Sequence, residues 1–207
     1  TTIAVTWEIA ETAQGESRGV PTVTRTLVGH VDRSYYPAIT VDITAIVTTP
    51  IEHKAVLGAV HQAAREGAQE RLCRVDSNGV VESASFDEIT RDDVALVSIM
   101  WVNNEIGVVQ PIESFAAKAK ARGALFHTDA VQALGKVEID ARRVPFDALA
   151  LSGHKIGAPK GCGAVFVRRG TTLESLFHGG TQERGKRPGT ENVAAAIGLA
   201  RAAELAC

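Results

Sequence analysis

The sequence predicts an α/β fold: a three-layer sandwich with a mostly parallel sheet and helices on both faces. Three observations carry this. From about residue 45, β-rich apolar runs alternate with segments of helical period, the pattern of repeated strand–helix units. The run "VALVSIMWV" (94–102) is apolar and β-branched with a single serine, as in a strand covered on both faces. The stretch "TENVAAAIGLARAAELA" reads as one long final helix.

Taken in order, "AIVTTP" is a short strand closed by Pro50. "EHKAVLGAVHQAAREG" follows with apolar residues at helical spacing and Gly67 as its stop. "RLCRV" reads as a strand, "SNGVV" as a turn into an extended piece, and "FDEIT" as the start of a short helix. After the 94–102 strand, Pro111 opens the helix "IESFAAKAKARG", which Gly123 ends. "ALFHTDA", "FDALALS" and "GAVFVRRG" are three further strands, with "GAPKGCG" the turn into the last. Residues 1–43 show no sustained period, so they are set apart as an unassigned N-terminal segment. Residues 44–207 are read as one domain.

Composition narrows the function. The chain has 207 residues, 45% apolar and 22% charged, with a formal charge of −2, so no polyanion-binding character shows and nucleic acid is not an expected partner. No apolar run approaches a membrane span. The opening residues show no basic leader before an apolar core, so no export signal is expected. Cys73, Cys162 and Cys207 fit neither a disulfide framework nor a zinc pattern, and a reducing cytoplasm is the expected compartment. His30, His61, His127 and His178 have no ligand spacing, and no metal is expected.

Ligands of open α/β sheets bind beyond the carboxyl ends of the strands. Asn103, Asn104 and Glu105 follow one such end; Asp129 and Gln132 follow another; Ser152, His154 and Lys155 follow a third. That inventory suits pyridoxal 5'-phosphate. Its aldehyde needs a lysine amine, which Lys155 can supply. Its ring nitrogen stays protonated beside a carboxylate, here Asp129. Gln132 or Asn104 can donate to the phenolic oxygen, His53 can stack on the ring, and Ser152 with His154 suits the phosphate.

The blocks "EHKAV", "VSIMWVNNEIGVVQPI", "HTDAVQALGKVEID", "SGHKIGAPKGCGAVFVRR" and "HGGTQERGKRPGTENVAAAIGLA" together resemble the NifS-like cysteine desulfurases of the class V aminotransferase group. The resemblance implies the large domain of a fold-type I pyridoxal phosphate transferase. It makes Lys155 the cofactor lysine and the acid/base at the substrate Cα, and His53 a ring-stacking partner in proton transfer. Asp129 would pair with the pyridine nitrogen, Gln132 would serve the phenolic oxygen, and Asn104 would lie near the substrate carboxylate. Ser152 and His154 would hold the phosphate, and Thr190 would reach the phosphate across a homodimer. The implied reaction converts L-cysteine to L-alanine and leaves sulfur as a persulfide, passed to an acceptor protein in processes such as iron–sulfur cluster assembly.

Three departures accompany the matches. No "GATES"-like phosphate loop precedes "EHKAV". The family's persulfide-forming cysteine and its small domain, with the substrate-carboxylate arginine, lie beyond "RPGT" and are expected to be absent, which would impair turnover. Cys162 reads as a small buried residue and Cys73 as a structural one. A non-catalytic remnant serving as a dimerisation or interaction module is the competing reading, with selenocysteine lyase and a plain aminotransferase as further ones. Trp101 either walls the pocket or packs.

Overall fold

The structure is a computed structural model describing residues 44–207 apart from 172, 174 and 176. Segment 1–43, with His30 and the stretch in which a phosphate loop was sought, lies outside the described residues.

Six strands form one sheet in the order β2-β1-β3-β4-β5-β6. They are β1 (Ala45–Thr48), β2 (Gln69–Leu72), β3 (Val94–Ser98), β4 (Leu125–Asp129), β5 (Ala148–Ser152) and β6 (Gly163–Val167). The first five are parallel and β6 runs antiparallel to β5. Parallel neighbours need long crossovers. Helices α1 (Lys54–Arg65), α2 (Ser83–Ile89) and α3 (Ile112–Ala121) supply three of them, and turns span 130–147. Helix α4 (Val193–Ala206) follows β6, capped by Asn192 Oδ1, which accepts from Ala195 N at 3.1 Å.

Alternation along the strands sorts side chains onto two faces. Ala45, Val47, Val97, Phe126 and Leu149 join Phe86 of α2 and Ile112, Phe115 and Ala116 of α3 in one large core. Ile46, Leu96 and Ala150 join Val56, Val60 and Ala63 of α1 in a smaller one. The expected three layers are thus present.

Some boundaries move. The apolar run 94–102 yields only a five-residue strand. Its inner neighbour β1 ends at Thr48, so Met100 N has no strand to pair with and donates instead to Glu52 Oε1 at 2.8 Å. On the other side pairing persists, from Ile99 N to His127 O and from Trp101 N to Asp129 O. "RLCRV" stops short for the same reason: β2 ends at Leu72, and Cys73 N donates to Thr48 O, the last residue of its partner. "FDEIT" forms the second half of α2, which begins at Ser83.

Candidate active site

The carboxyl ends of β1, β3, β4 and β5 are adjacent along one rim of the sheet, and all the residues singled out from the sequence except Thr190 lie at or follow one of these ends along the chain. Asp129 ends β4 opposite Ala150 of β5, and Ser152 ends β5. The chain then tightens into a 3-10 turn, Gly153–Ile156, which carries His154 and Lys155. This turn is close-packed. A Cβ at Gly153 would lie 2.7 Å from Cys162 Sγ and 3.0 Å from Ala158 Cβ, and Gly157 ends the turn at φ +88°, where L side chains are strained. Lys155 and His154 are exposed and Ser152 is half-buried. Ser152 Oγ and His154 Nδ1 share a hydrogen bond of 2.9 Å.

Asp129 is the buried member, 9% exposed. Its Oδ1 accepts from Val131 N at 2.9 Å, and Oδ2 has no hydrogen-bond partner among the described residues. Burial pushes its pKa above the usual carboxylate range, while the Val131 N–H and the nearby His53 ring pull it back. His53 reaches the site as the N-cap of α1, its Nδ1 accepting from Ala55 N at 3.2 Å. An accepting Nδ1 leaves the neutral ring's proton on Nε2.

The two asparagines divide their roles. Asn103 is buried and builds the turn after β3: its Oδ1 accepts from Glu105 N and Ile106 N, and its Nδ2 donates to Ile51 O at 2.8 Å. Asn104 is exposed at the rim. Gln132 Oε1 accepts from Lys136 Nζ at 2.6 Å, so its amide N–H₂ is the group left to donate. Thr190 is exposed in the segment before α4. Trp101 packs rather than facing the rim, 6% exposed and edge-on to Phe146 at 6.2 Å. It borders a cavity of about 550 Å3 on the α3 side, lined also by Glu113, Glu138 and Arg143. Arg143 pairs with both of these glutamates, so the cavity's charges are satisfied among themselves. The rim, not this cavity, holds the reactive groups.

The cysteines differ. Cys73 is buried and its thiol is pushed up to about 12, first by burial and then by Glu52, whose carboxyl is ionised at so high a pH. Cys162 is half-buried rather than buried, because it sits beside the edge strand β6 with its thiol donating to Pro159 O at 3.1 Å. Sequence reading passed over Glu52, which stands beside the conspicuous His53. Its 6% exposure had no local signal beyond a charge placed between an apolar strand and the helix start.

The donor set suits pyridoxal phosphate. Asp129, largely buried, keeps one carboxylate oxygen without a hydrogen-bond partner among the described residues, an amine stands on the neighbouring turn, and a hydroxyl–imidazole pair lies beside it. Among the described residues no cluster of three or more His, Cys, Asp or Glu could hold a metal, and no helix is long and apolar enough to cross a membrane.

A family model described as aminotransferase class-V matches residues 31–206. The chain belongs to the class-V aminotransferase family. Within that family it resembles the cysteine desulfurases. "Cysteine desulfurase 2" of Trichormus variabilis is 48% identical over 161 residues, which is 78% of this chain and 40% of that protein. A solved NifS-like protein superposes with TM-score 0.77 at 42% identity, covering 79% of this chain and 45% of the other. A structure described as SspA in complex with cysteine gives TM-score 0.73 at 37% identity, covering 77% and 47%. This class-V chain thus spans about two fifths of the length of the curated relatives it matches.

Proposed function

We propose that the chain supplies the cofactor-binding core of a pyridoxal-phosphate-dependent cysteine desulfurase, which converts L-cysteine to L-alanine and passes the sulfur on as a persulfide. The observation that carries this reading is Asp129, a largely buried residue with one carboxylate oxygen unpartnered among the described residues, on the strand next to β5 and its turn, which carry Ser152, His154 and Lys155. Desulfurase relatives and a similar structure solved with cysteine support the substrate class.

The bound cofactor supplies an electron sink for bond cleavage at an amino-acid substrate. The chain's residues do the rest. With the cofactor bound, Asp129 would pair with its ring nitrogen, and Lys155 would hold its aldehyde end and serve as the base for the substrate Cα proton. His53 covers the ring. Asn104 and Gln132 donate amide N–H groups to the substrate carboxylate and the phenolic oxygen. Ser152 and His154 hold the phosphate, with Thr190 approaching it across a homodimer. Cys73 is no thiolate at neutral pH, since its thiol is pushed up to about 12, so the sulfur passes to another thiol.

Borohydride reduction of the full chain with pyridoxal phosphate, followed by peptide mass mapping, tests this. A single adduct at Lys155, strongly reduced in Asp129→Asn, is expected. Adducts scattered over surface lysines, or none, would leave the chain a non-catalytic member that keeps the family's fold without its site.

A further inference from the structure

Glu52 is a buried acid with no role in the assignments above. It sits in the turn between β1 and α1, immediately before His53, and is 6% exposed. Its Oε1 accepts from Thr49 Oγ at 2.9 Å and from Met100 N at 2.8 Å. Its Oε2 is buried with no hydrogen-bond partner among the described residues. No salt bridge reaches it among them either.

That geometry makes Glu52 a latch between two strand exits. The β1–α1 turn is tied to the β3 exit twice, from Met100 N to Glu52 and from Asn103 Nδ2 to Ile51 O. The β3 exit is tied to β4 by Trp101 N and Asp129 O at 2.9 Å. Glu52 therefore joins the turn that presents His53 to the strand that presents Asp129.

The orphaned oxygen decides the protonation state. Ionised, Glu52 would bury a negative charge with no cation beside it. Neutral, it leaves only one O–H unmet, which costs far less. The titratable groups facing it do not offset an ionised form. Asp129 at the end of β4 is itself an acid, the thiol of Cys73 beyond β2 is neutral, and the imidazole of His53 is engaged with Ala55 N–H. Burial accordingly pushes the Glu52 carboxyl up to about 8, with Asp129 adding and the two hydrogen bonds opposing.

We propose that Glu52 is a positioning residue of the site: a neutral carboxylic acid that pins the His53 turn to the β3 exit and adds no second buried negative charge beside Asp129. Its part toward the cofactor rests on the proposed function; its protonation and its hold on His53 do not.

The test uses the full chain without cofactor. Carbon-13 NMR of labelled glutamate carboxyls, with the Glu52 signal assigned by its loss in Glu52→Gln, should show a titration near pH 8. Because the folded chain holds this proton more tightly than the unfolded one, stability is full below about pH 4 and falls as pH rises toward 8. The melting temperature of the wild type should therefore drop by roughly 5 °C or more across that range relative to Glu52→Gln. Glu52→Gln, which keeps an accepting oxygen, should leave the His53 imidazole signals in place, whereas Glu52→Ala should shift them. In a second arm, Glu52→Gln should keep pyridoxal phosphate affinity and Glu52→Ala should lose about tenfold, the effect of one lost hydrogen bond or two. A Glu52 signal titrating in the ordinary carboxylate range, or an unchanged melting slope in Glu52→Gln, would overturn the neutral acid. Unmoved His53 signals in Glu52→Ala would overturn the latch. If the wild type takes up no cofactor, the functional reading fails, and the cofactor-free arms still decide Glu52.

Discussion

On the sheet face covered by α2 and α3, Phe86, Phe115, Phe126 and Phe146 are all fully buried, with Phe86 and Phe115 ring to ring at 4.8 Å. On the face covered by α1, strand alternation brings Ser98, His127, Asp129 and Ser152 into the positions that phenylalanine and leucine fill on the other side. Ser98 Oγ and His127 Nδ1 bond at 2.8 Å, and burial holds the His127 imidazole well below its ordinary range, so it stays neutral. One face concentrates apolar burial, the dominant favourable contribution to folding. The other gives up part of that burial to keep polar groups in low dielectric, where each has a strong effect on its neighbours. Asp129 and Ser152 of the candidate site lie on the second face.

The largest loss is expected on the apolar face. Phe86→Ala should cost about 3–5 kcal/mol in urea unfolding, and a loss under about 1 kcal/mol would mean that the α2/α3 face is not the main core. On the polar side, Asp129→Asn should lower cofactor affinity about 10- to 100-fold, the range of a charge-assisted bond, measured by titrating pyridoxal phosphate. The same change should leave the cofactor-free chain at least as stable. Burial raises the Asp129 pKa in the folded state, so its ionisation costs stability as pH rises above the unfolded value, and that cost vanishes in strong acid. A cofactor-free Asp129→Asn less stable than the wild type at pH 7 would show that the carboxylate is structural. The smallest effect is expected at the surface of the apolar side, where Lys118 pairs with Asp87 at 2.7 Å with both partners partly exposed. Lys118→Ala should cost at most about 1 kcal/mol and weaken with salt.

Much of the fold was legible because its signals are local. Pro50 and the helical spacing after it separate β1 from α1, Pro111 opens α3, and the apolar runs mark β3, β4 and β5. The early end of the 94–102 run was not legible, because it depends on where β1 stops and on a carboxyl 48 residues away in sequence. Among the candidate site residues, Lys155, Asp129 and His53 were singled out from strand ends and motif blocks. The work of Asn103 as turn-builder and the burial of Glu52 needed neighbours distant in sequence.

The sequence by itself determined the alternation of strands and helices, the rim on which a lysine, a carboxylate and an imidazole stand, and the family to which they belong. These are read from period and spacing along one chain. Only the tertiary structure decided that β6 runs antiparallel, that Gln132 is tied to Lys136, that Trp101 faces the core, and that Glu52 lies buried with one oxygen unmet. Each of these depends on which distant groups meet, and burial and partners set the energy of a polar group far more than its own chemistry does.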